Sequence, residues 1–257
     1  MHCRKLPLLV RCGCMNSQVE NSPLDNPSGL PLLSVSAIAT DRVLVVAPHP
    51  DDETLGCGGA IALLRSIGCK VQILVISDGT MSHPNSRKYP APALRALRES
   101  ETKDATATLG VDVSDVTFVG LPDGSVATQS SAAINDAVAR CCPNTVFLPW
   151  RNDPHPDHRA TYKLIQTALV DIGISPRIIE YPIWDWDPQQ RGNLPEPNRV
   201  KAWRLDISKV VQLKQLAIAA YRSQTTDLID DDPQGFRLTP EMLANFTCPW
   251  EVYLEVE

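Results

Sequence analysis

Val43-Leu44-Val45-Val46-Ala47 runs straight into Pro48-His49-Pro50-Asp51-Asp52-Glu53: an apolar pentapeptide stopped by a proline, an imidazole and three consecutive carboxylates. Core packing does not ask for that ending. An uninterrupted apolar run suits a strand of a parallel sheet, buried on both faces, and in open α/β sheets ligands collect outside the carboxyl ends of the strands. His49, Asp51 and Asp52 are therefore expected to line a site. Adjacent carboxylates repel one another unless a cation or several hydrogen-bond donors offset the charge. Pro48 and Pro50 fix their own φ and restrict the residue before them, so the loop is stiff before anything binds.

The arrangement recurs. A second apolar run over 145–148 reaches Pro149 and is followed by Arg151-Asn152-Asp153-Pro154-His155-Pro156-Asp157-His158. His155 and His158 are three apart, neighbouring positions at a helix start or in a tight turn, and Asp157 between them is placed to hold one ring N–H. The chain has five histidines, and three of them fall in these two clusters, which favours a metal or catalytic site over proline-rich surface turns.

The two motifs, PHPDDE at 48–53 and HPDH at 155–158, resemble the LmbE-like (PIG-L) family of metal-dependent N-acetylglucosaminyl deacetylases. Arg98-x-x-Glu101 ahead of Leu109-Gly110, Leu121-Pro122-Asp123-Gly124 and Tyr221-Arg222-Ser223-Gln224 resemble its weaker motifs in the same order, so the resemblance spans about 42–224. It implies metal-dependent hydrolysis of the acetamide of an N-acetylglucosamine-containing conjugate to acetate and a free amino sugar. His49, Asp52 and His158 would be the metal ligands and Asp51 the general base. A protonated His155, oriented by Asp157, would stabilise the oxyanion, and Arg98 and Asp123 would contact sugar hydroxyls. Two histidines and one carboxylate leave an open position, the pattern of catalytic zinc, though the same set suits Fe(II). Asp51 and His155 both remain candidates to protonate the departing amine.

Three other readings compete. A zinc amidase acting on a non-sugar or thiol-conjugate acyl-amine would share every ligand and differ in the loops at 78–92 and 184–197. A nucleotide-binding oxidoreductase needs a phosphate-cradling glycine loop, and His49 and the aspartates occupy that loop. A non-catalytic sugar-binding protein would be expected to lack Asp51 or a metal ligand.

The rest of the chain reads as alternating strands and helices. A glycine-rich helix over 55–68 is expected to pack close to the sheet, followed by a strand over 70–76. A helix over 92–109 places Leu97, Glu101, Ala105 and Leu109 on its buried face, so Glu101 needs a partner and Arg98 is the nearest. Further strands are expected at 116–119 and 177–181, helices at 131–141, 158–172 and 208–222, and a last edge strand at 251–257. In the loop at 184–197, Trp184 and Trp186 either stack on a sugar or cover the core. The order gives an α/β, Rossmann-like, mostly parallel sheet flanked by helices, with the site at the C-terminal ends of the strands.

At 257 residues, 43% of them hydrophobic, the chain can bury one sizeable core, so 41–257 is read as a single domain and 1–40 as a disordered or loosely attached arm. Met1 and Met15 are alternative starts. A net charge of −6 argues against nucleic acid and anionic membranes as main partners, and no apolar run approaches the roughly 18 residues of a membrane span. The eight cysteines form no disulfide framework, which points to a reducing compartment, the cytoplasm. The partner is expected to be a small N-acetyl amino sugar conjugate; its aglycone is written in the loops, and oligomeric state in no motif.

Overall fold

The apolar run at 43–47 becomes the centre of the molecule because helices cover both of its faces. The computed structural model describes residues 22–191 and 200–256. In chain order the elements are β1 (Leu32–Leu33), β2 (Arg42–Ala47), α1 (Asp52–Ser66), β3 (Lys70–Ser77), α2 (Ala91–Thr108), β4 (Val116–Leu121), α3 (Ala132–Cys141) and β5 (Thr145–Pro149). They continue with α4 (Pro156–Asp171), β6 (Arg177–Tyr181), β7 (Val200–Asp206), α5 (Val211–Ala219), α6 (Arg222–Thr225), α7 (Pro240–Ala244) and β8 (Trp250–Val256). The strands make one sheet in the order β1-β7-β8-β6-β5-β2-β3-β4.

Successive side chains of a strand point to opposite faces. Val43, Val45 and Ala47 join the core beneath α1, α2 and α5, whereas Leu44 and Val46 join the one beneath α3 and α4. β2 pairs in parallel with β3 on one side and β5 on the other. The chain leaves β2 into α1 on one face and leaves β5 into α4 on the other, so a crevice opens between these two strand ends. The two Pro-His-Asp motifs sit at its lips.

The mostly parallel sheet matches expectation on the β4 to β6 side and differs on the other. The terminal strand is no edge: β8 runs antiparallel between β6 and β7, and β7 is a strand that no motif announced. The segment at 22–40, expected to be loose, is packed; Leu32 and Leu33 pair with β7, and Ile38 is 1% exposed. The remainder of the proposed arm, and 192–197 of the tryptophan loop, lie outside the described residues. The expected helix at 208–222 is shorter and breaks before α6.

The α1 glycines work as anticipated. A Cβ on Gly56 would lie 2.3 Å from the Tyr181 ring, and that ring is fixed by its hydroxyl, which donates to the Val46 carbonyl at 2.6 Å. Gly56→Ala is expected to cost about 1–3 kcal/mol by overpacking, read as a lower urea midpoint with an unchanged slope. A buried ion pair also pins α1. Glu251 on β8 accepts from the amides of Gly59 and Ala60 at 2.7 and 2.8 Å and from Lys214 Nζ on α5 at 2.7 Å. Lys214 also donates to the Leu55 carbonyl, at 2.7 Å. The first turn of α1, which carries Asp52 and Glu53, is thereby held against the sheet.

Candidate metal centre and active site

β2 ends at Ala47, and the following loop delivers His49 and Asp51 before α1 begins at Asp52. Asp51, the N-cap of α1, has φ 130° and ψ −28°. A side chain held at positive φ costs about 1–3 kcal/mol and persists where its surroundings over-determine it. Here they do. The Asp51 carbonyl accepts the amides of Thr54 and Leu55 at 3.0 and 2.9 Å. Its N–H donates to Glu53 at 3.3 Å, and Arg98 donates to its carboxylate at 3.0 Å. Glu53 is in turn fixed by the Tyr221 hydroxyl and by Thr54. The third carboxylate is thus a brace for the first.

Asp52 is the hub. Its Oδ2 lies 3.3 Å from His49 Nδ1 and 3.2 Å from His158 Nε2, and it accepts the His49 amide at 2.9 Å. His155 joins them: ring centroids of His49, His155 and His158 are 4.9 to 5.3 Å apart, and one nitrogen of each falls within 4.8 Å of the others. Both His158 nitrogens are buried without a well-formed hydrogen bond among the described residues. Converging imidazole nitrogens beside a carboxylate oxygen are the donor set of a transition-metal ion. These residues fit a divalent cation.

The charges agree. Burial alone would raise the Asp52 carboxyl, but His158 and His49 hold it well below the usual carboxylate range. Burial opposes a charge on His158 as well, yet Asp153 and Asp52 push it up to about 9. His49 is also raised, Asp123, Asp157 and Asp52 overcoming its burial. Asp51 goes the other way: burial, opposed by Arg98 and reinforced by Asp52 and Glu53, takes it to about 8.

His155, Asp157 and Arg98 are arranged differently from expectation. The Asp157 carboxylate accepts from the amides of Gly124 at 2.7 Å and Val126 at 3.3 Å and stands 3.6 Å from His49 Nε2. It does not orient the His155 ring; the backbone N–H of Asp157 does, donating to His155 Nδ1 at 3.2 Å as His155 caps α4. Burial, with the neighbouring His158 and His49, lowers His155 to about 4, so in this arrangement it is neutral rather than protonated. Arg98 is committed to Asp51, the Gly79 carbonyl at 2.9 Å and the Pro50 carbonyl. Its two terminal nitrogens clamp the Asp51 loop, while its Nε has no hydrogen-bond partner among the described residues. Glu101 binds the Ser223 amide and hydroxyl at 2.8 and 2.6 Å, not Arg98. Asp123 lies 3.2 Å from His49 Nε2 and accepts the Met81 amide at 2.9 Å.

These groups open onto a cavity of about 230 Å³ whose walls include His49, Asp51, Asp52, Arg98, Asp123 and His155. Asp157 and His158 stand behind it. The GlcNAc-PI de-N-acetylase (PIG-L) family model matches residues 44–169, the span that carries every metal-ligand and catalytic candidate. The chain belongs to the PIG-L family.

Among PIG-L relatives, a probable N-acetyl-α-D-glucosaminyl L-malate deacetylase 2 of Bacillus cereus is 28% identical over 198 residues, covering 74% of this chain and 86% of its own. The solved N,N′-diacetylchitobiose deacetylase of Pyrococcus horikoshii is 26% identical, with a TM-score of 0.55 over 80% of this chain and 75% of that one. The A40926 pseudoaglycone deacetylase superposes with a TM-score of 0.64 over 84% of this chain and 97% of its own, and at 19% identity it supports the fold alone. Three residues of this PIG-L site were given no role from sequence, although Tyr221 and Gln224 belong to the motif at 221–224. Asp153, fully buried, lies 3.3 Å from His158 Nδ1. Tyr221 fixes Glu53. Gln224 lines the cavity with a buried Oε1 that has no hydrogen-bond partner among the described residues.

Proposed function

We propose that the protein hydrolyses the acetamide of an N-acetylglucosamine conjugate, giving acetate and a free amino sugar. The observation that supports this best is a strained, desolvated Asp51 carboxyl beside the His49, Asp52 and His158 donor set, with Asp51, His49 and Asp52 lining one cavity and His158 behind them. Zinc, with Fe(II) as the alternative, would be held by those three residues and would supply Lewis acidity to a water and to the acetamide oxygen.

Asp51 receives the proton of the attacking water. A carboxyl near 8 is poised to carry a proton at neutral pH, and a cation on the adjacent ligands lowers that value toward the ordinary range. Arg98 keeps the carboxylate aimed. With Nδ1 occupied as an acceptor, neutral His155 carries its proton on Nε2, and that N–H is a donor for the oxyanion. Asp51 rather than His155 returns a proton to the departing amine, because His155 has no second proton to give. Asp123 and Gln224 Oε1 accept from sugar hydroxyls. A reducing, cytoplasmic setting belongs to the same proposal: Cys57, Cys69 and Cys141 are buried free thiols. Among the described residues no helix is long and apolar enough to cross a membrane.

The test is amine release from a panel of N-acetylglucosamine conjugates by chelator-stripped protein, before and after reconstitution with zinc or Fe(II). Equal amounts of acetate and amine, appearing only with metal, are expected. Tight metal binding with turnover of a non-sugar amide alone would replace the sugar by another acyl-amine. Failure to bind metal would remove the ligand assignment.

A further inference from the structure

The cavity has two chemically different ends. Residues lining it from the loops around the strand ends carry the polar groups already described. Those from the two segments opposite, Ile183, Trp184, Phe236, Leu238, Met242 and Phe246, are all apolar. The apolar wall does not stop at the cavity mouth. An outer hollow of about 450 Å³ shares Ile183, Trp184, Phe236, Met242 and Phe246 and adds Trp186, together with the polar Asp187, Gln190, Glu241 and Asn245.

We propose that the substrate carries an uncharged apolar group, alkyl or aryl, on the side of the amino sugar away from the metal ligands, and that Trp184, Phe236, Met242 and Phe246 select it. This rests on the deacetylase reading above. Charge excludes the obvious competitors. Among the described residues lining either hollow, Arg98 is the only permanent cation, and it is held by Asp51 and two carbonyls. The outer hollow has Asp187 and Glu241 at its edge, so a carboxylate or phosphate on the aglycone would meet like charge without a counter-ion.

The wall is also built in advance. The Phe236 amide donates to the Ser82 carbonyl at 2.7 Å and the Leu238 amide to the Gln224 carbonyl at 2.8 Å. His83 packs so tightly on Gly235 that a Cβ there would lie 2.1 Å from its ring. Asp231 accepts from the Ser86 hydroxyl and from the Arg87 and Lys88 amides at 2.7 to 2.9 Å. A surface held this firmly loses little conformational entropy when an apolar group covers it. Trp184 serves both ends, stacking on His155 at 5.8 Å between centroids and touching Phe236 at 5.5 Å. An apolar group seated there therefore bears on the ring that faces the acetamide.

The experiment compares kcat/KM of the zinc-reconstituted full chain on phenyl and octyl N-acetylglucosaminides, N,N′-diacetylchitobiose, N-acetylglucosaminyl malate and free N-acetylglucosamine. Calorimetric titration of the corresponding free amines measures binding without turnover. The phenyl and octyl compounds should lead by at least about tenfold, mainly through KM, and their amines should bind tighter in the same order. Met242→Ser and Phe236→Ser should each reduce the ratio of phenyl glycoside to chitobiose about tenfold, and Glu241→Lys, on the exposed rim, should raise the malate conjugate relative to the rest. Equal kcat/KM across the panel, or an unchanged ratio in folded variants, overturns the aglycone assignment and leaves the deacetylase reading intact. No amine from any of these conjugates removes the deacetylase reading and this inference with it.

Discussion

Asp51→Asn is expected to lower kcat by about 10²- to 10⁴-fold, the range for loss of a general base, while metal content and fold are retained. The substitution keeps size and shape, and Asn tolerates positive φ better than most residues, so the φ of 130° adds no new strain. Two electrostatic effects oppose each other in the folded state. The ion pair with Arg98 at 3.0 Å weakens, while a buried charge adjacent to Asp52 and Glu53 disappears. Arg98, left buried with its two carbonyl partners, makes some loss of stability expected, smaller than the roughly 3–5 kcal/mol of a broken buried pair because repulsion from Asp52 and Glu53 is removed as well. His49, Asp52 and His158 are untouched, so zinc stoichiometry by elemental analysis should stay as in the parent. A variant that binds zinc, remains folded and retains kcat within about tenfold would end the assignment of Asp51 as base. If zinc is lost as well, Asp51 belongs among the ligands instead.

The strand ends were legible because each motif is self-announcing: an apolar run, a proline, then charge. Local sequence is enough to say that β2 and β5 are buried and that His49, Asp51, Asp52, His155 and His158 leave them at the same edge. The pairing of side chains was not legible, because it is decided by residues far apart in the chain. Glu101 meets Ser223, 122 positions away, and Asp157 meets Gly124, 33 positions away. Arg98 sits beside Glu101 on α2, yet its guanidinium crosses to Asp51, 47 positions back.

The error at His155 has a local cause. Residue spacing placed a carboxylate two positions after the imidazole, but a helix beginning at Pro156 turns that residue's backbone N–H, not its side chain, toward Nδ1. An N-cap needs an acceptor, and His155 fills that role. On the other side of the sheet, the strand expected at the edge over 251–257 lies inside the sheet at Trp250–Val256, between β6 and β7. In β7 Trp203 and Leu205 are buried on one face, but Lys201 on that same face is exposed, and of the opposite face Ala202 and Arg204 are half-buried and Asp206 exposed, so the alternation is incomplete. That pattern is short and directly follows a proline-rich stretch of sequence, so it carried no strand signal of its own.

Asp153 shows what a crowded motif conceals, and its removal should have the second large effect. It is one aspartate among several in a turn, yet its carboxylate, fully buried, serves three groups at once. It lies 3.3 Å from His158 Nδ1, accepts the His155 amide at 2.8 Å and accepts the Trp184 amide at 3.2 Å. A carboxylate on the far nitrogen of a ligating imidazole sets its tautomer and orientation, and losing it typically lowers metal affinity about 10- to 100-fold. Asp153→Asn keeps an acceptor oxygen for only one of the two amides and turns an NH2 toward the other, so it should show that loss of affinity, measured by competition with a chelating dye, together with a smaller loss of stability than the alanine variant. Asp153→Ala strips both amides as well, at about 1–3 kcal/mol for each buried donor left unpaired, and should melt far lower even without metal. Neighbouring Asp185 gives a further signature. Burial and then the charge of Asp153 push its carboxyl to about 8, so neutralising position 153 should lower that value, visible as a shifted carboxyl resonance in a pH titration. Should both variants bind zinc as tightly as the parent, His158 is either not a ligand or is oriented by something other than Asp153. Should only the alanine variant lose zinc, the essential contribution is the scaffold that joins His155 and Trp184, not the charge on His158.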